Sequence, residues 1–210
     1  MVLNYIETLG QSEDLSLKFL SLKTVFLLAI TCPSRSVDLS TLNRSRMQSC
    51  SNGVSFLPSS LAKQSHQGKS IESFFFPSFP TNKTLCPVST LQVYLGRTAP
   101  LRQEEAKLFI SFIKPHKAVT SSSIARWLQL TLEYAGVNSS MFGAHSTCGA
   151  SVSAASRAGN TTSDILKAAN WNSESVFKRF YHKEIDRAAY GRAVIGQNSL
   201  KSATNNTVDV

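Results

Sequence analysis

Acidic side chains are scarce in this chain: 13 Asp+Glu stand against 22 Lys+Arg, a formal net charge of +9 over 210 residues. They are also scattered, which removes the carboxylate cluster that a metal-dependent nuclease requires. The four cysteines, Cys32, Cys50, Cys86 and Cys148, include no Cys-x-x-Cys pair. A zinc knuckle or disulfide framework is therefore not expected, and reduced thiols point to an intracellular compartment. No apolar run is long enough to span a bilayer, the most apolar being residues 24–30. Residues 1–11 lack the basic-then-apolar layout of a signal peptide. There is no histidine set at metal-ligand spacing, no glycine-rich loop after a strand, no nucleophile elbow for a Ser/His hydrolase and no internal repeat.

What is present suits one folded domain. The hydrophobic share is 42%, and the length is enough to bury a real core. The basic excess favours a polyanionic partner through counterion release and long-range steering. Residues 15–30 are dense in Leu, Phe and Val and read as a buried helix stopped by Pro33. A short helix follows over residues 37–42, with Arg35 at its start. Residues 47–58 read as a hairpin about Ser51-Asn52-Gly53, and the aromatic run 71–79 as a further strand. Together they predict a small antiparallel sheet.

Pro87 opens a helix to about Leu95, and residues 97–106 form a charged connection. Residues 107–113 are extended. Thr120 to Ser123 offer N-caps for a helix closed by Gly136. A small-residue helix over residues 146–158 begins at His145, and another covers 163–169. Helices are also expected from Asn172 or Ser173 and over residues 184–195. The polar tail, residues 197–210, reads as disordered.

Without metal-ligand spacing, the chemistry that remains is phosphoryl transfer by Arg, Lys, His and Tyr. Five ordered segments carry it: Ser34-Arg35-Ser36-Val37-Asp38-Leu39, Leu61-Ala62-Lys63-Gln64-Ser65, Gly143-Ala144-His145-Ser146-Thr147, Ala168-Ala169-Asn170-Trp171 and Phe177-Lys178-Arg179-Phe180-Tyr181. In this order they resemble the catalytic domain of the tyrosine recombinases, or phage integrase family, especially the versions in eukaryotic mobile elements of the DIRS and crypton types.

The resemblance implies an α+β, mainly α fold: a helical catalytic core with a small antiparallel three-stranded sheet. It implies a catalytic domain over residues 1–196 without the family's N-terminal DNA-clamping domain. Arg35 would grip the scissile phosphate, supported by Asp38. Lys63, with Lys69 as its rival on the same loop, would protonate the departing 5′ oxygen. His145 would assist proton transfer, and Trp171 would occupy the family's His-or-Trp position. Tyr181 would attack the phosphate to give a 3′-phosphotyrosyl link, reversed without metal or other cofactor. The implied partner is double-stranded DNA, with assembly as a homotetramer on paired sites, and the implied setting is nuclear rather than membrane-bound.

This sequence departs from the family pattern at one point that bears on activity. The family's His-x-x-Arg reads His145-Ser146-Thr147-Cys148 here. Cysteine offers neither permanent charge nor a fork of donors, and loss of one preorganised donor costs on the order of a hundred- to a thousand-fold in rate. Arg157, nine residues beyond Cys148, is more than two helical turns away and is no substitute. The expectation is a recombinase by descent with crippled activity, the alternative being a non-catalytic domain that binds DNA or a protein partner. Trp171 and Tyr181 also stand ten apart, against about nine in many family members.

Overall fold

The computed structural model describes residues 1–58, 73–138, 141–169 and 171. Lys63, Lys69, Tyr181, the expected helices beyond Asn172 and the tail lie outside the described residues.

The fold is built around helix α2, Leu17–Thr31, in which residues 20–29 are buried without interruption. Ser16 starts the helix by accepting the Phe19 N–H at 3.4 Å, and Pro33, lacking a donor, stands just past its end. A helix buried on every side needs neighbours on every side. Helix α4 (Pro87–Thr98), α5 (Ser121–Tyr134) and α6 (Ala144–Arg157) pack on it. Helix α3 (Ser36–Thr41) bridges α2 and α5, and α7 (Thr162–Ala168) packs on α6. Helix α1, Val2–Thr8, was not expected from the sequence. It buries only Ile6, too little for a periodic signal, and rests on α5.

Three antiparallel strands follow α3 in the order β1 (Met47–Cys50), β2 (Gly53–Phe56) and β3 (Phe74–Pro77). Val54 and Phe56 turn inward from β2, and Phe56 meets Phe76 edge to face at 5.9 Å. The register pairs Cys50 with Gly53, so the turn residues are Ser51 and Asn52, and Gly53 already belongs to the strand. Its lack of a side chain serves a close approach: a Cβ there would lie 2.3 Å from the Phe76 carbonyl oxygen. Mainly helical architecture with a small three-stranded antiparallel sheet is the fold class expected from the sequence.

The charged connection over residues 97–106 buries one of its cations. Arg102 is only 2% exposed. Its guanidinium donates to Thr98 Oγ1 through Nε (2.9 Å) and Nη2 (2.8 Å), and to the carbonyls of Lys107 (2.7 Å) and Leu108 (2.6 Å). It also stacks over the Tyr94 ring at 5.6 Å. Sequence composition does not reveal that this cation is consumed by backbone carbonyls. Residues 107–113 form no strand: bends fall at 108, 112 and 113, and single bridges pair Asn43 with Lys107 and Ile110 with Ala118 as the chain doubles back.

Candidate functional site

Two of the five motif segments sit at helix starts. Arg35 is the N-cap of α3, and its backbone N–H donates to Asp38 Oδ2 at 2.9 Å. Asp38 thus supports Arg35 through the main chain: the carboxylate satisfies the exposed end of the helix and fixes the turn, while the arginine side chain lies on the surface. Phosphate recognition by a planar fork needs this combination of a fixed base and an accessible head.

His145 lies exposed in the first turn of α6. The N-cap, Gly143, has no side chain with which to close the helix, and no side-chain hydrogen bond caps it. The Ser146 N–H closes on the Gly143 carbonyl at 2.9 Å, which leaves the N–H groups of Ala144 and His145 to face an anion. Further along, Thr147 and Cys148 turn inward, with Val152 one turn beyond Cys148. Cys148 is 2% exposed. Thr147 Oγ1 is buried with no hydrogen-bond partner among the described residues. Position 148 is thus an interior position, and an arginine there would have to reach a charged acceptor from inside the packing.

The third segment is drawn in by direct contacts. The Cys32 thiol, three residues before Arg35, donates to the Ala168 carbonyl, three residues before Trp171, at 3.4 Å. The Trp171 N–H closes the end of α7 on Leu166 at 2.9 Å. Ser151 on α6 donates its hydroxyl to the Ile30 carbonyl near the end of α2. Between these elements is a cleft of about 150 Å³ with Ile30, Pro33, Ser151, Val152 and Ala168 on its walls. Burial pushes the Cys32 thiol above its ordinary range, keeping it a neutral donor to Ala168.

The structure therefore ties α6 and α7 to the end of α2 through Ser151, Ile30, Cys32 and Ala168; Arg35 follows that end of α2, Trp171 follows α7, and His145 stands in the first turn of α6. Lys63 and Lys69 fall in the connection between β2 and β3, outside the described residues, as does Tyr181. The ties through Cys32 and Ser151 were not singled out in the sequence, because neither residue type signals a tertiary contact on its own. Among the described residues no group of three or more His, Cys, Asp or Glu is arranged to hold a metal ion.

No protein-family model matches the chain, and no curated protein matches it by sequence. Solved structures do. A XerH site-specific recombinase in a post-cleavage complex with palindromic difH substrate aligns with a TM-score of 0.67 at 14% identity, covering 93% of this chain and 51% of that one. The same recombinase in a pre-cleavage difH complex gives 0.63 at 12%, covering 92% and 51%. A XerA recombinase gives 0.58 at 15%, covering 85% and 61%. At such identities the likeness is one of fold: the chain has the fold of a tyrosine recombinase catalytic domain. It spans about half the length of the XerH chains it matches.

Proposed function

We propose that the chain is a DNA-binding catalytic domain of the tyrosine recombinase class, descended from a eukaryotic mobile element of the DIRS or crypton type, with activity crippled at Cys148. The observation that supports this reading is the fold shared with recombinases, in which α6 and α7, bearing or preceding the His145 and Trp171 motifs, are tied to the end of α2 just before Arg35. In the proposed reaction Arg35 holds the scissile phosphate, His145 assists proton transfer beside it, and Trp171 packs against it. Tyr181 attacks phosphorus, forming the 3′-phosphotyrosyl bond as the 5′ oxygen leaves, and Lys63 supplies that oxygen's proton. Attack by a 5′-hydroxyl reverses the step, so phosphodiester energy is conserved. The working assembly would be a tetramer on paired duplex sites, in a nucleus.

A second reading, a DNA-binding domain that has lost catalysis, is favoured by one observation: position 148 is buried and bears a thiol in place of a guanidinium. A covalent trap with a nicked suicide duplex separates the two. Cys148→Arg should raise trapped adduct by about a hundredfold or more, and Tyr181→Phe should abolish it. A folded Cys148→Arg protein that binds duplex but forms no adduct would eliminate the catalytic reading and leave the binding one.

A further inference from the structure

The segment where the chain doubles back after residue 109 is a tightly tied hairpin carrying an apolar tip between cations. The Val119 N–H donates to the Phe109 carbonyl at 3.1 Å, and the Ser111 N–H to the Lys117 carbonyl at 2.8 Å. Across the turn the His116 N–H donates to the Ile113 carbonyl at 3.0 Å, and the Ile113 N–H to Ser111 Oγ at 3.0 Å. The His116 ring closes the loop, its Nδ1 lying 2.9 Å from the Ser111 carbonyl oxygen. Below the tip Phe112 stacks on Trp127 of α5 at 5.2 Å and an interplanar angle of 27°. That stack anchors the hairpin to the helical core.

The tip itself has no such anchor. Ile113 is 66% exposed, while Lys114 and Lys117 beside it are exposed. Rigid presentation of a β-branched side chain to water costs free energy that burying it against a partner would recover. A tip with lysines beside an apolar wedge fits a nucleic acid duplex: the ammonium groups answer phosphates, and the apolar group presses on a base step. One flank carries the opposite sign, since Glu104 and Glu105 line the same surface cleft as His116 and Lys117. Glu105 is partly occupied, its Oε1 accepting the Lys107 N–H at 2.9 Å.

We infer that the hairpin over residues 109–119 is a DNA contact in its own right, with Lys114 and Lys117 on backbone phosphates and Ile113 as a wedge against a base step. The inference rests on the DNA reading above and adds to it a contact that the five motif segments do not include. It is tested with the full chain on duplex DNA, by fluorescence anisotropy across a salt series and with 2-aminopurine placed in turn along the strand. K114A/K117A should weaken binding about tenfold and flatten the logarithmic salt slope by about 1 for each lysine removed. K114R/K117R should restore both. Ile113→Ser should leave the slope intact, weaken binding severalfold and remove the 2-aminopurine signal of the contacted step. Glu104→Gln, which relieves repulsion of phosphate, should strengthen binding.

The inference is overturned if the wild-type chain binds duplex DNA and K114A/K117A binds it equally well at every salt concentration. It is also overturned if Ile113→Ser leaves affinity and base signal unchanged, or changes self-association instead. A wild-type chain that fails to bind duplex DNA even at low salt would remove the wider DNA reading along with it. Failure confined to the hairpin variants would leave that reading standing.

Discussion

Cys148 shows what one side chain decides. It is buried on the inner face of α6, so an arginine placed there without an anion would bury an unpaired charge. An uncompensated buried charge costs about 3–5 kcal/mol, which at about 2–4 °C per kcal/mol for a chain of this size is readily measured. Cys148→Arg should therefore melt lower than the wild type when free. Duplex DNA should raise its melting temperature more than it raises that of the wild type. An equal DNA-induced shift in both proteins would mean that position 148 does not face the phosphate. Arg35 and Asp38 were paired by the resemblance to the recombinase motif, not by their spacing alone. That Asp38 supports Arg35 through a backbone N–H required coordinates, since a sequence does not distinguish capping from charge pairing. Likewise, the departure of Cys148 from the motif that the chain resembles was visible in the sequence, but the burial of the position was not.

Among elements, α4 is held by unusual means at both ends. Cys86 is its N-cap, accepting the Ser89 N–H at 3.4 Å and the Phe79 N–H at 3.2 Å on sulfur. Cys86→Ala should cost about 1 kcal/mol, as loss of a cap does, and Cys86→Ser considerably less; urea midpoints would show the difference. At the other end Arg102 fills four acceptor contacts. Arg102→Met should destabilise by about 2–4 kcal/mol, because the Lys107 and Leu108 carbonyls lose their donor inside the protein, while Thr98 keeps its bond to the Tyr94 carbonyl. Tyr94, next to Arg102, gives a pH signature. Burial, the main cause, holds its hydroxyl above the ordinary tyrosine value of 10.0. The folded chain keeps a proton that the unfolded chain releases, so this contribution is whole below about pH 10 and is lost as pH rises through the folded pKa. Stability should fall above pH 10 in the wild type and fall less in Tyr94→Phe. The helices α2, α4 and α5 were legible because proline, capping hydroxyls and apolar spacing agreed. The doubled-back segment after residue 109 was not, because its ties are backbone hydrogen bonds with little sequence signature.

For the whole molecule, the +9 charge predicts duplex binding that weakens as salt rises, by about 0.9 in logarithmic slope for each phosphate neutralised. Affinity independent of salt would count against nucleic acid as the partner. The helices and the small sheet were readable from the order of elements, whereas the packing of α6 and α7 at the end of α2 was not, because it depends on contacts between distant parts of the chain. The Cys32–Ala168 hydrogen bond joins residues 136 apart, and the uninterrupted burial of residues 20–29 depends partly on α6, which also arrives late. During synthesis at about 5–20 residues per second, the segment around Cys32 waits roughly 7–27 s for Ala168 to be made. Throughout that interval the most apolar helix of the protein lacks part of its cover. The nascent chain is therefore a client for chaperones that hold apolar segments, and slowing its translation should increase its aggregation rather than relieve it.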